Sequence, residues 1–195
     1  MPRAAEILRA TAETDIRLWL SLDGSGSADV ETGIGFLDHM LALLARHGVM
    51  DLTVRCRGDL HVDQHHSVED VGICLGMAID RALGERAGIV RYGSIMVPMD
   101  EALVLVSLDL GGRAFARCDL DLRGRRIGEF DAELAAEFFR AVAANARMNL
   151  HVHQFWGENA HHIVEAAFKA FARALDAATR RDERVAGVPS TKGVL

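Results

Sequence analysis

The sequence predicts an α+β fold made of two internally duplicated half-domains, with the helices of both packed together between two sheets. Three observations lead there. Strand-like alternation is interleaved with apolar residues at helical spacing along the whole chain. Ser21-Leu22-Asp23 recurs as Ser107-Leu108-Asp109, 86 positions later, and the same order of helix, short strand and helix follows both copies. His65-His66-x-x-Glu69 recurs as His161-His162-x-x-Glu165, 96 positions later. The 195 residues suit one domain of two pseudo-repeats, about 1–90 and 91–195.

Each element has its own signal. Asp15–Asp23 places Ile16, Leu18, Leu20 and Leu22 on one face and Arg17, Ser21 and Asp23 on the other, a half-buried strand that the turn Gly24-Ser25-Gly26-Ser27 ends. Phe36–His47 sets Phe36, Met40, Leu43, Leu44 and His47 at helical spacing before the stop signal Gly48. Asp51–Arg57 is a strand with Leu52, Val54 and Cys56 inward. His65–Leu83 is a helix with one apolar stripe, closed by Gly84. Strands follow at about Tyr92–Val97, Ala102–Leu110 and Ala114–Leu120. Asp131–Arg147 reads as a helix, Asn149–His153 as a strand and Asn159–Arg180 as a long alanine-rich helix. The tail Gly187–Gly193 is loop by its Gly and Pro.

Composition narrows the function. The net charge of −6, with no block of like charge, argues against a general nucleic-acid or anionic-membrane binder. No apolar run approaches the roughly 20 residues of a membrane span, and the polar start does not read as a signal peptide. Three cysteines in dissimilar settings read as reduced thiols, which points to the cytoplasm. Nine histidines, two pairs of them adjacent, are the outlier.

The repeated His-His-x-x-Glu points to metal. On a helix, residues i and i+4 lie over one another, so His65 with Glu69, and His161 with Glu165, can each chelate an ion. His66 and His162 point about 100° away and can reach an ion held by the other copy. The symmetric solution is two metals, one on His65, Glu69 and His162 and the other on His161, Glu165 and His66, with His39 and His151 as candidates for the remaining positions. Nitrogen and carboxylate donors without cysteine suit Mn2+, Fe2+, Co2+, Ni2+ or Zn2+, and the open positions favour catalysis over a closed structural site.

The chain resembles the imidazoleglycerol-phosphate dehydratases over essentially its whole length. The matching stretches are Arg9-x-Thr11-x-Glu13-Thr14, Gly33–Leu41, Asp63-x-His65-His66-x-x-Glu69-Asp70, Arg91-Tyr92-Gly93, Met99-Asp100-Glu101, His161-His162-x-x-Glu165-Ala166-x-x-Lys169-Ala170 and Pro189–Gly193. Gly35, Gln64 and Ser67 depart from residues common in the family, and none of them is a proposed ligand. The resemblance implies two four-stranded sheets around the helices and a homo-oligomeric shell of 24 subunits with sites between subunits. It implies a pair of Mn2+ ions, one on His39, His66, His161 and Glu165 and the other on His65, Glu69, His151 and His162. It also implies Glu13 as the acid–base residue, His47 lining the substrate pocket, and Arg91, Arg113, Lys169, Ser190, Thr191 and Lys192 as contacts of a phosphorylated substrate.

The implied reaction, loss of water from imidazoleglycerol phosphate in histidine biosynthesis, gives the metals a purpose. The departing hydroxyl sits on the carbon joined to the imidazole ring, and the proton lost from the next carbon is not acidic. Metal on both ring nitrogens favours an imidazolate, whose electrons help expel hydroxide. Two rivals use the same residues: a dinuclear metallohydrolase, and a non-catalytic metal-binding shell protein. The first calls for aspartate-rich ligands and the second for no anion clamp.

Overall fold

The computed structural model describes residues 3–193. The first half runs β1 (Ala4–Ala10), β2 (Thr14–Ser21), β3 (Ala28–Glu31), α1 (Gly35–Gly48), β4 (Asp51–Gly58) and α2 (His65–Leu83). The second runs β5 (Tyr92–Met99), β6 (Ala102–Asp109), β7 (Phe115–Asp119), a small hairpin β8 (Arg126–Ile127) and β9 (Phe130–Asp131), α3 (Leu134–Asn145), β10 (Asn149–Trp156) and α4 (Ala160–Thr179). The sheets have the same plan, β1-β2-β4-β3 and β5-β6-β10-β7, and in each the last pair alone is parallel. The expected fold, duplicated half-domains with helices between two four-stranded sheets, is the one observed.

Alternation decides which face each sheet buries. Ile16, Leu18, Leu20, Leu52 and Val54 point inward from the first sheet, and Val104, Val106, Leu108, Leu150 and Val152 from the second. α2 packs on β1 and β2, and α4 on β5 and β6. Between these layers the helices pair crosswise, α2 with α3 and α1 with α4, so each half buries helix surface against the other. Gly72 and Gly76 let the α2 and α3 backbones approach: a Cβ on Gly76 would lie 2.6 Å from the Val142 carbonyl oxygen. Phe138, Phe139, Phe168 and Phe171 pack ring against ring in the same layer.

Several boundaries differ from the sequence reading. The sequence reading lacks β1 and β3: β1 buries only Ile7 fully, and β3 is four residues long and buries nothing. The α3 helix was expected from Asp131 to Arg147. Instead Asp131 pairs with Arg126 in the small hairpin, and Arg147 leaves the helix with φ 49°. β10 runs on to Trp156. The Gly24–Ser27 turn is pinned by Asp51, whose carboxylate accepts the Ser25 and Ser27 N–H groups. Among the described residues, no helix is long and apolar enough to cross a membrane.

Candidate functional site

The pairing of α1 with α4 gathers imidazole and carboxylate groups of the kind that ligate metals into one corner. Asp38 fixes the start of α1 by accepting from the Thr32 N–H at 2.8 Å and the Thr32 hydroxyl at 2.6 Å. Asn159 caps α4, its side chain accepting the His161 N–H at 2.9 Å. These anchors place His39 Nε2 3.6 Å, and His161 Nε2 3.0 Å, from Glu165 Oε2. One donor atom from each of the three lies within 4.8 Å of the others, and among the described residues this is the only group of three so placed. Lys169 Nζ sits 2.6 Å from the other Glu165 oxygen, Oε1, which leaves Oε2 for the corner. Burial works to raise the Glu165 pKa, but the bonds from Lys169 and His161 prevail and the carboxyl stays below its ordinary value. Two imidazole nitrogens and an ionised carboxylate at this spacing fit a divalent first-row cation. His47, further along α1, is held below the usual histidine range by burial first and then by the charges of Lys169 and Arg173.

The other histidines are less gathered. His65 Nε2 lies 3.9 Å from Glu69 Oε2, as the i, i+4 spacing anticipates. His66 turns instead toward Asp59, with Nδ1 3.0 Å from Oδ2, and its Nε2 is 3.7 Å from Glu13 Oε1. His162 behaves alike: Nδ1 is 2.7 Å from Glu101 Oε2, and Nε2 is 3.8 Å from Asp100 Oδ2. Those hydrogen bonds raise the pKa of both histidines, and bonds from His162 and the Asn159 N–H bring Glu101 down to about 2. Within one chain His66 does not join His161 and Glu165, nor does His162 join His65 and Glu69. His151 stands exposed on the outer face of the second sheet, its ring 5.4 Å from Phe115.

Glu13 is placed by a buried network. The Thr11 hydroxyl accepts the N–H groups of Glu13 and Thr14, closing a tight turn between β1 and β2. Arg9 and the Thr14 hydroxyl both donate to the Asp70 carboxylate on α2, one residue beyond Glu69. The turn carrying Glu13 is thereby fastened to the helix carrying His65 and His66.

A cleft lined by basic side chains forms elsewhere. Arg91, Arg113, Ser190, Thr191 and Lys192, dispersed in sequence, line one open cleft of about 750 Å³ with Tyr92 and Gly111. Arg91 is committed: Nε and Nη2 donate to Asp109 at 2.7 and 3.0 Å, and Nη1 donates to the Pro189 carbonyl at 2.7 Å. A Cβ on Gly111 would lie 2.7 Å from Asp109 Oδ2, so glycine there keeps this pair intact. Arg91 thus ties down the tail, while Arg113 and Lys192 present exposed side chains. Lys169 is not part of the cleft, because it is held by Glu165. The Arg91 N–H donates to the Ala178 carbonyl, thirteen residues beyond Glu165 on α4, so cleft and metal corner stand about 20 Å apart along that helix.

Reading by motif missed the carboxylates that position these groups: Asp59, Glu101, Asp70 and Asp109. Asp70 and Glu101 sit inside recognisable stretches, but their partners lie 56 and 61 positions away, a distance no local spacing encodes.

The comparisons with known proteins agree over the full chain. A family model described as imidazoleglycerol-phosphate dehydratase matches residues 32–175. The imidazoleglycerol-phosphate dehydratase of Chloroflexus aurantiacus is 61% identical over 194 residues, covering 99% of this chain and 95% of its own. That of Acetivibrio thermocellus is 58% identical over 195 residues, the whole of both chains. The crystal structure of the Pyrococcus furiosus enzyme superposes with a TM-score of 0.84 at 40% identity, covering 97% of this chain and 100% of that one. The chain belongs to the imidazoleglycerol-phosphate dehydratase family.

Proposed function

We propose that this chain is a hydro-lyase that removes water from imidazoleglycerol phosphate to give imidazoleacetol phosphate in histidine biosynthesis. Beside family membership, the observation that carries the reading is the convergence of His39, His161 and Glu165. With His66 they would hold one Mn2+, and His65, Glu69, His151 and His162 would hold a second. When bound, such ions supply Lewis acidity to the substrate imidazole, lowering the pKa of its ring N–H. Glu13, whose Oε1 lies 3.7 Å from His66 Nε2, would take the proton from the carbon chain. Lys169 keeps the Glu165 carboxylate ionised and turned to the corner, and His47 stays neutral beside it. Arg113, Ser190 and Lys192 bind the phosphate, with Arg91 holding the tail in place.

The proposal puts the site between subunits of a 24-subunit shell. An imidazole bearing a three-carbon phosphate ester is about 10 Å long. It cannot span the roughly 20 Å between one chain's metal corner and its own anion cleft. His151, on an outer sheet face, likewise needs a second chain to meet the other histidines. A cytoplasmic setting is supported by three free cysteines, whose thiols burial pushes up to about 11 and so keeps protonated.

The test is ketone formation from imidazoleglycerol phosphate by purified protein, with and without added Mn2+. Metal-dependent ketone supports the assignment. Release of inorganic phosphate without ketone would replace it with a phosphatase.

A further inference from the structure

We propose that Asp59 and Glu101 are a matched pair of positioning carboxylates that lock His66 and His162 as Nδ1–H tautomers, leaving Nε2 of each free as a donor. The inference deepens the proposed metal site, since it rests on both histidines being ligands. A neutral imidazole carries one N–H and one lone pair, and whichever group faces one nitrogen decides the role of the other. Carboxylates only accept. Glu101 Oε2 at 2.7 Å from His162 Nδ1, and Asp59 Oδ2 at 3.0 Å from His66 Nδ1, therefore each require the proton on Nδ1. The Nε2 atoms face Asp100 at 3.8 Å and Glu13 at 3.7 Å, beyond hydrogen-bonding distance, so neither is committed.

The repeat does not account for this match. Asp59 directly follows β4, whereas Glu101 sits in the turn between β5 and β6. The two halves reach one arrangement from different elements, as expected where the arrangement itself is required. Outer carboxylates of this kind fix the orientation of metal-binding histidines and strengthen them as ligands.

Glu101 differs from Asp59 in one respect that makes the proposal testable. Its second oxygen, Oε1, accepts the Glu158 and Asn159 N–H groups at 3.1 and 2.8 Å. In Glu101→Gln those two donors demand the amide oxygen, which turns the amide NH2 toward His162. Facing a donor, Nδ1 must accept, and the ring proton moves to Nε2. The substitution keeps the shape and the backbone bonds while inverting the tautomer. Among the described residues the Asp59 side chain bonds His66 alone, its Oδ1 lying 3.3 Å from the same Nδ1, so Asp59→Asn is free to turn its amide oxygen to His66 and preserve Nδ1–H.

The experiment is 15N solid-state NMR of the metal-free full chain, its histidine rings labelled, at about pH 9 where imidazoles are neutral. Loss of signals in His66→Gln and His162→Gln assigns the two rings. Both should carry Nδ1–H in the parent; His162 should change to Nε2–H in Glu101→Gln, and His66 should not change in Asp59→Asn. Mn2+ affinity measured by titration should fall about 10–100-fold in Glu101→Gln. A parent spectrum with Nε2–H at either histidine overturns the proposal, as does an unaltered His162 in Glu101→Gln. Inversion with Mn2+ affinity unmoved confirms the hydrogen bond and instead strikes His162 from the ligand set.

Discussion

Arg86 is 1% exposed, and its guanidinium reaches three segments at once. It pairs with Asp80 on α2, and donates to the carbonyls of Leu110 after β6 and of Ala146 and Arg147 at the end of α3. Those α3 carbonyls have no partner within the helix, so the arginine acts as its C-terminal cap. Arg86→Met fills much of the space and leaves Asp80 paired with Arg147, but it strands the three carbonyls without a donor. We expect a loss of about 3–5 kcal/mol, read as a lower urea midpoint at unchanged slope. In sequence Arg86 sits in Gly-Glu-Arg-Ala-Gly, which looks like a solvated loop, and nothing local betrays its burial. The raised pKa values of His66 and His162 also have a measurable consequence. Because the folded values exceed the ordinary 6.5, these groups stabilise the metal-free chain fully below 6.5, and that contribution is lost as pH rises through the folded values. Protons thus compete with metal to a higher pH than an ordinary histidine allows. Mn2+ affinity should keep rising beyond the pH at which an ordinary histidine is already neutral, and a rise that levels off by about pH 7.5 would show that neither histidine binds the ion.

Helix α2 tests whether close packing or local propensity dominates at Gly76. Alanine gains about 1 kcal/mol over glycine inside a helix. Its methyl, however, would sit 2.6 Å from the Val142 carbonyl oxygen and 2.7 Å from Asn145 Cβ, and overpacking costs about 1–3 kcal/mol. Gly76→Ala should therefore lower stability in thermal unfolding, and a gain would mean that α2 and α3 can part freely. The tail is the other element with a clear readout. Lys192→Ala should raise KM for the phosphorylated substrate several-fold with metal content unchanged, because a phosphate contact supplies mainly uniform binding. A KM equal to the parent's would leave the tail a mere terminus. Elements were legible where one face is buried: β2, β4 and α2 announce themselves by strict period. β1 and β3 were not, since β1 has a single fully buried residue and β3 is four residues long with none. At the site, i, i+4 spacing revealed the His65–Glu69 and His161–Glu165 pairs, both within one helix. Joining His39 to the second pair depends on α1 packing against α4, which no local pattern encodes.

In the molecule as a whole, the His39–His161–Glu165 corner and the basic cleft occupy opposite stretches of α4, and on the proposed function this separation would tie catalysis to assembly. If each ion is held by side chains of more than one chain, chelation or protonation of the histidines should shrink the assembly as well as stop the reaction. Light scattering should show smaller species after chelator treatment and recovery of the large form with Mn2+. A full-size particle that is free of metal would show that packing alone holds it. The crosswise helix pairing has a consequence for biogenesis. Translation completes α2 long before residues 134–145 of α3 have emerged from the ribosome. Until then, the apolar flank around Gly72 and Gly76 has no partner, and the nascent first half carries the kind of bare surface that chaperones recognise. A ribosome stalled between the two halves would thus present an aggregation hazard rather than a folded fragment.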